Sequence, residues 1–438
     1  MFENSPIYGL SIGSTDSGIY QNIAKEMLNG KVLYKDLFDI KGPFIFFIYT
    51  LSFILKIDYN VYLLDIIIYS ISYFFIYKTL LNKTNSIYYS FIMGLICASI
   101  SSVLHDTLVP ESIMLLTISY MSYWIISKKY LNPSITSLLV CGVLTGIIFW
   151  TKYSIGVFIA IIYFYFIYKK PSWKNILYPF LGFSIPTSIV FGYFIHQGSL
   201  YELFYAYILV AFNYSKDPLI PEALCLISSI IAFLGILIFI NRKDSESVII
   251  LLAYEVLIFF TFILSGHCFE YYYIPLIGCI IYIPTKKIDK FLPYLLISLS
   301  FTLIPNNIEI MQEKQLAQQT YKDFIEDTNG KVESIATVFD MNTSLQTLLK
   351  EINYKYFFMP NLTYESHPEL FDTLYDDISN KNIEFLVIKK NGENIKMISA
   401  LNNDFERAEC LLKAIKENYE VFNEYGDLIV MKRIAEGG

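Results

Sequence analysis

The sequence contains 438 residues, of which 55% are hydrophobic and 17% are charged, and its formal net charge at pH 7 is -7. These proportions exclude an ordinary soluble globular protein and are typical of a membrane protein with several spanning helices. They give no indication of nucleic-acid binding, for which an excess of positive charge would be expected.

The chain opens with a polar segment ahead of its first apolar run. Residues 14–43, with the sequence STDSGIYQNIAKEMLNGKVLYKDLFDIKGP, are rich in charged side chains. The residues before them have neither the basic start nor the apolar run of a signal peptide. Residues 44–57 are apolar, but about 14 residues are fewer than the roughly 20 that a spanning helix needs. The segment is therefore either an interfacial helix or a short span, and the charges of the later loops, described below, favour an interfacial helix at 44–57.

Further apolar runs follow, most of them close to the length that spans a bilayer and some slightly short of it. We predict about ten transmembrane helices, at residues 61–81, 86–104, 112–127, 134–151, 153–168, 176–195, 221–240, 248–265, 271–285 and 291–304.

The basic residues of the loops indicate an orientation. With the 44–57 helix in the interface, the clusters of Lys and Arg all fall on one side of the membrane, which is the cytoplasmic side by the positive-inside rule. These clusters are Lys78/Lys83, Lys128/Lys129, Lys169/Lys170/Lys174, Arg242/Lys243 and Lys286/Lys287/Lys290. The opening segment and everything after residue 305 are then predicted to be extracytoplasmic.

The composition changes after residue 305 to mixed charge with short β-rich runs. Strands are predicted at 334–339, 355–360, 383–390 and 427–433, and helices at 344–352, 368–379 and 404–417. Alternating strands and helices favour a small α/β domain. We therefore predict two domains: a transmembrane module at 1–305 and an extracytoplasmic α/β domain at 306–438.

Ionisable residues outside the basic loops share one predicted face. Charged groups at membrane depth are costly unless they line a wet cavity or pair with one another. One outward-facing polar pocket would satisfy them together, although each residue taken singly is also explained as an interfacial anchor or a paired charge. The set comprises Asp16, Asp36, Asp39, Lys41, Asp65, His105, Asp106, Glu111, Lys152, His196, His267 and Glu270.

The opening segment also carries a family signal. Its sequence resembles the first external loop of bacterial membrane glycosyltransferases of the GT-C class, the family 39-like group related to protein O-mannosyltransferases and the lipid A aminoarabinose transferase. The matching residues are Asp16, Tyr20, Ala24, Leu28, Gly30, Tyr34, Asp36, Asp39, Lys41, Gly42 and Pro43. Later landmarks look similar: HDTLVPES with Asp106 and Glu111, the run that ends in Lys152, and GHCFEYYYIPL with His267, Tyr271 and Tyr272.

The resemblance covers about residues 12 to 305 and departs from the family at two points. The family usually has a transmembrane helix before the Asp loop, whereas too few residues precede Asp16 here to span. Ser17 follows Asp16 where the O-mannosyltransferases have a tandem Asp-Glu.

The resemblance implies a membrane enzyme that takes a sugar from a polyprenyl-phosphate donor in the bacterial inner membrane. Such transfer needs a base near the acceptor hydroxyl and a cation near the leaving phosphate. We expect the catalytic residues to be Asp16 as base, Lys41 at the phosphate, and Glu111. Expected substrate-binding residues are Tyr20, Tyr34, Asp36, Asp39, Asp106, Lys152, His196, His267, Tyr271 and Tyr272. A divalent cation held by Asp106, Glu111 and a His is a further hypothesis.

Two other functions are compatible with the sequence. A transporter or flippase would also expose a polar cavity, but such sites tend to lie at the midplane between repeated halves, and no such halves are visible. A structural or partner-binding protein would depend on the C-terminal domain instead. The sugar, the acceptor and the lipid length cannot be read from the sequence, because pocket shape decides them.

Overall fold

The computed structural model describes residues 15–54, 60–103, 108–211, 221–263, 270–282, 322–338, 345–346, 349–358, 367–389, 405–426 and 428–435. The predicted candidates His105, Asp106 and His267 lie outside these ranges, as does the predicted span at 291–304. The side chains of Glu270 and Tyr271 also lie outside the described part.

Helices dominate the chain before residue 283. They are α1 Thr15–Leu28, α2 Pro43–Ile54, α3 Asn60–Thr84, α4 Ile87–Val103, α5 Pro110–Ile126, α6 Ile135–Phe149, α7 Gly156–Lys169, α8 Lys174–His196, α9 Leu200–Leu203, α10 Pro221–Ile240 and α11 Ser245–Ile258. α9 continues as a π-helix over Phe204–Val210 and α11 as one over Phe259–Ile263, and a 3₁₀ helix covers Glu270–Tyr282.

Each of the first eight predicted spans overlaps one of these helices, and the ninth overlaps the 3₁₀ helix. By length and apolar composition, three helical stretches within the described ranges qualify as membrane spans on their own: Val61–Thr84, Lys174–His196 and Ser245–Phe262. Shorter apolar helices, including Pro43–Ile54, accompany them. The interfacial position of α2 stays a prediction.

Local chemistry explains several helix boundaries. α5 begins at Pro110, whose missing N–H costs nothing in the first turn. The Ser134 hydroxyl caps α6 by accepting the N–H of Ser137, and the Asp244 carboxylate caps α11 in the same way. The spans predicted at 112–127, 134–151 and 248–265 begin within three residues of these observed helix starts.

Glycines bring α6 and α8 into close contact. A Cβ added at Gly142 would overlap the carbonyl oxygen of Pro179, and one added at Gly182 would overlap that of Leu139. Small residues at such a crossing let two backbones approach closely, which is how many helices associate in a bilayer. Close van der Waals packing of the two backbones therefore stabilises the α6–α8 contact.

The C-terminal part contains a four-stranded sheet of order β1-β2-β4-β3. Its strands are β1 Ile335–Thr337, β2 Phe385–Lys389, β3 Tyr419–Tyr425 and β4 Leu428–Arg433, accompanied by helices α12 Pro368–Ser379 and α13 Phe405–Asn418. β1 pairs with β2 in parallel, whereas β2–β4 and β3–β4 are antiparallel. The α/β character predicted for this region is confirmed.

Three details of that region differ from prediction. Strand β3 was not predicted, because polar residues interrupt its apolar pattern. Of the strand predicted at 355–360, the described residues 355–358 contain an isolated bridge from Phe358 to Thr337 in place of a strand. The helix predicted at 344–352 is wrong from residue 349 onward, where the chain is non-helical.

The described residues form two compact units. One contains residues 60–193 and 221–282, and the other contains residues 15–54, 194–211 and those from 322 onward. The opening segment thus clusters with the C-terminal α/β part, whereas the sequence grouped it with the transmembrane helices. We call these the helical unit and the loop unit.

Candidate active site

Asp16 lies in the first turn of α1, in the loop unit, and its residue is only 6% exposed. Tyr20, one turn later, donates its hydroxyl to Asp16 Oδ2 over 3.4 Å. The Tyr20 ring packs edge-on against Phe46 and Tyr49 of α2. The α1–α2 contact therefore holds Tyr20, and Tyr20 in turn holds the Asp16 carboxylate.

Lys41 lies in the turn that precedes α2. Its Nζ is 3.8 Å from Asp16 Oδ2, so the predicted base and the predicted phosphate-binding cation form an ion pair. The backbone N–H of Lys41 donates to Asp39 Oδ1 over 2.8 Å. Tyr34, whose φ is +64°, donates its hydroxyl to the carbonyl of Lys41 and stacks on Phe194. The backbone of Lys41 is therefore fixed on both sides.

Asp39 is a buried carboxylate beside this pair, 5% exposed. Loss of hydration on burial raises the pKa of Asp39 from 3.8 to about 6, with nearby Asp16 adding to the rise while Lys41 opposes it. The turn thus places two acidic groups around one ammonium, in a protected environment where electrostatic interactions are stronger than in water.

Two predicted residues of the loop unit have other surroundings. The Asp36 carboxylate accepts the backbone N–H of Val32 over 2.8 Å and thereby closes a turn of the loop. His196 ends α8 with an exposed side chain, and within the described ranges it makes no hydrogen bond or ion pair. Neither geometry places these side chains against the Asp16–Lys41 pair.

A second charged cluster lies in the helical unit. Lys152, just after α6, donates through Nζ to Glu111 Oε1 over 2.5 Å, and the Glu111 side chain is 1% exposed. The same ammonium lies 3.8 Å from the ring centre of Tyr272, a cation–π contact. Glu111 Oε2 is buried and has no hydrogen-bond partner in the described part of the chain. Three predicted residues thus meet, and one carboxylate oxygen has unused acceptor capacity.

Neighbouring polar residues of the helical unit were not all foreseen. Asp65 accepts the backbone N–H of Leu108 over 3.1 Å, where the sequence suggested an interfacial anchor or a paired charge. Ser112 donates to the hydroxyl of Tyr69 over 3.3 Å. The sequence analysis missed Tyr69 and Ser112. The four-residue spacing of Asp65 and Tyr69 puts these two residues on one face of α3, which is a signal that could have identified Tyr69.

The structure therefore forms two clusters, Asp16–Asp39–Lys41 with its tyrosines and Glu111–Lys152–Tyr272, each within its own unit. The single pocket that would unite them stays a prediction. Within the described ranges, no group of three or more His, Cys, Asp or Glu side chains could hold a metal ion. The divalent cation also stays a hypothesis, since His105, Asp106 and His267 lie outside those ranges.

Comparison with known proteins reveals similarity in structure and not in sequence. No protein-family model matches the chain, and no curated protein matches it significantly. Among solved structures, the crystal structure of ArnT from Cupriavidus metallidurans bound to undecaprenyl phosphate aligns with a TM-score of 0.58 and 11% identity, covering 96% of this chain and 94% of that one. The likeness confirms the predicted fold, a helical polytopic GT-C-like membrane protein with a small C-terminal α/β domain.

Proposed function

We propose that the protein is an integral membrane glycosyltransferase that moves a sugar from a polyprenyl-phosphate donor to a hydroxyl acceptor on a glycan, lipid or protein at the extracytoplasmic face. The observation that carries the proposal is the ion pair between Asp16, buried in the first turn of α1, and Lys41, partly buried in the turn before α2. The fold likeness to ArnT, a structure bound to undecaprenyl phosphate, supports the donor class.

Asp16 is the proposed base. The acceptor oxygen attacks the anomeric carbon of the donor sugar, its proton passes to the Asp16 carboxylate, and the bond from that carbon to the phosphate oxygen breaks. Attack opposite the leaving phosphate inverts the anomeric centre. A buried carboxylate held by Tyr20 has a fixed direction, which general-base catalysis requires.

Lys41 is the proposed partner of the leaving phosphate. A lysine carries three N–H donors, and its 3.8 Å separation from Asp16 is longer than the roughly 2.8 Å of a tight charge-assisted bond. An incoming phosphate oxygen would therefore compete with a weak contact. The polyprenyl phosphate released carries its negative charge next to this ammonium, which lowers the barrier to leaving.

The Glu111–Lys152–Tyr272 cluster is proposed to bind substrate. Lys152 offers a cation for an anionic group of a substrate, and the unpartnered oxygen of Glu111 can accept a hydrogen bond from a sugar or acceptor hydroxyl. Leaving such an oxygen unpaired in a buried site costs about 1–3 kcal/mol. A ligand that supplies the missing donor recovers that cost.

The test uses purified protein, a polyprenyl-phosphate donor with a radiolabelled sugar, and cell-envelope glycans as acceptors. Asp16→Asn is expected to slow transfer by about 10²-fold or more, because it removes the base. The matched control is Asp372→Asn, the same change at an exposed residue of α12. Transfer by Asp16→Asn at the wild-type rate would refute the assignment.

A second arm tests the cation. Lys41→Gln is compared with Lys413→Gln, whose side chain is 75% exposed on α13. We expect the first change to lower the transfer rate and the second to leave it unchanged. Equal rates in both would remove Lys41 from the proposal.

A further inference from the structure

Residues 349–358, which we call the strap, contact the opening segment at two places within the loop unit. The strap begins with non-helical chain whose backbone groups have no helix or sheet partners of their own. Buried backbone groups need hydrogen-bond partners, so the partners of the strap show what holds it. Several of its backbone groups bond to side chains at the end of α1, and one bonds to the backbone next to Asp39.

The first contact is at the end of α1. The Lys25 ammonium donates to the carbonyl of Leu349, and Asn29 donates to that of Lys350 over 3.3 Å. The Glu26 carboxylate accepts the N–H of Ile352 over 3.2 Å. Glu26 is completely buried, and its burial raises its pKa.

The second contact is one residue before Asp39. The N–H of Phe38 donates to the carbonyl of Lys355 over 3.1 Å, and the Phe38 ring lies 5.5 Å from that of Tyr356. Two residues further on, the carbonyl of Phe357 accepts the N–H of Thr337 in β1 over 2.8 Å. Backbone hydrogen bonds thus run from the edge of the sheet through the strap to the turn that holds Lys41.

We propose that the strap is a positioning element of the transferase site and that Glu26 of α1, which binds the strap, is the main positioning residue; this inference rests on the proposed function. By fixing the end of α1 and the residue before Asp39, the strap sets the distance between Asp16 and Lys41. The C-terminal domain is therefore part of the working site although it supplies no reacting group. Misplacing a catalytic group by about 1 Å can cost about 10²-fold in rate.

The decisive variants change Glu26. Glu26→Leu leaves the N–H of Ile352 without its acceptor and is expected to lower kcat by about tenfold or more, with KM for the donor little changed. Glu26→Gln keeps an acceptor oxygen and is expected to retain near-wild-type kcat. The matched control is Glu351→Leu, the same change at an exposed strap residue whose carboxylate accepts a hydrogen bond from Asn353.

A double-mutant cycle separates positioning from general damage. In an Asp16→Asn background there is no base left to position, so Glu26→Leu is expected to cost less than about twofold further. A full additional tenfold loss would overturn the proposal, and so would wild-type kcat in Glu26→Leu alone. Absence of transfer by the wild type would refute the proposed function itself, which is a different result.

A variant of the strap itself tests the proposal if Glu26→Leu fails to fold. Tyr356→Leu removes the ring that contacts Phe38 while leaving the backbone bond from Phe38 to Lys355. We expect a lower kcat and the same near-absence of further loss in the Asp16→Asn background. An unchanged kcat in folded Tyr356→Leu would overturn the inference.

Discussion

Replacing Asp39 with Asn should stabilise the protein at neutral and higher pH. Burial raises the pKa of the Asp39 carboxyl from 3.8 to about 6. Two pKa units correspond to about 3 kcal/mol, at about 1.4 kcal/mol per unit. Because the folded state favours the protonated form, this stability is fully present below about pH 3.8 and is lost as the pH rises through about 6.

The amide introduced by Asp39→Asn would carry no charge at any pH and would keep an oxygen for the N–H of Lys41. The variant should therefore unfold at a higher denaturant concentration than the wild type at about pH 8, with a gain of up to about 3 kcal/mol. At about pH 4 the gain should largely disappear. Intrinsic fluorescence during denaturation in detergent measures the free energy of unfolding at each pH. Asp372→Asn, the same change at an exposed residue, is the control.

The direction of the pH effect tests the reasoning. A gain that is the same at both pH values would show that Asp39 does not titrate in this window. A loss of stability at about pH 8 would show that its charge is net favourable, so that the Lys41 attraction outweighs burial. Lys41→Gln removes that attraction and should enlarge the gain from Asp39→Asn.

Two further predictions concern the helical unit. Gly182→Ala should destabilise the protein by about 1–3 kcal/mol because the added methyl group overlaps the carbonyl of Leu139. Gly192→Ala, which has open space around it, should leave stability unchanged. Equal midpoints of thermal denaturation for the two variants would contradict the close α6–α8 contact. Lys152→Met should lower the free energy of unfolding by about 3–5 kcal/mol, because it leaves the Glu111 charge buried without its partner. Adding Glu111→Gln should restore stability but not sugar transfer. Restored transfer in the double variant would exclude a role of Glu111 and Lys152 in binding substrate.

The sequence predicted the helices well because their signals are local. Apolar runs are read from neighbouring residues alone, and caps such as Ser134 and Asp244 lie at or just before two of these helices. The strand at 428–433 and the helix at 368–379 were likewise found from their own periodicity. Strand β3 was missed because its pattern becomes regular only when β4 pairs with it.

The candidate site was predicted in its residue types and only partly in its arrangement. The pairing of Asp16 with Lys41 follows from the loop motif, and that of Glu111 with Lys152 joins residues that the sequence had named separately. Asp36 and Asp65 were also chosen as charges on the predicted outer face. Each accepts a backbone N–H, from Val32 and Leu108 respectively, and no residue pattern identifies these contacts.

By itself the sequence determined the membrane class, the helix positions and the acidic and basic residues of the opening segment, since hydrophobicity and capping act over a few neighbouring residues. Only the tertiary structure decided that residues 349–358 hold that segment. Their helical pattern is overridden because Lys25, Glu26 and Asn29 satisfy the backbone of residues more than three hundred positions away. Such long-range hydrogen bonds depend on where the folded chain brings two segments together, and neither segment encodes that alone.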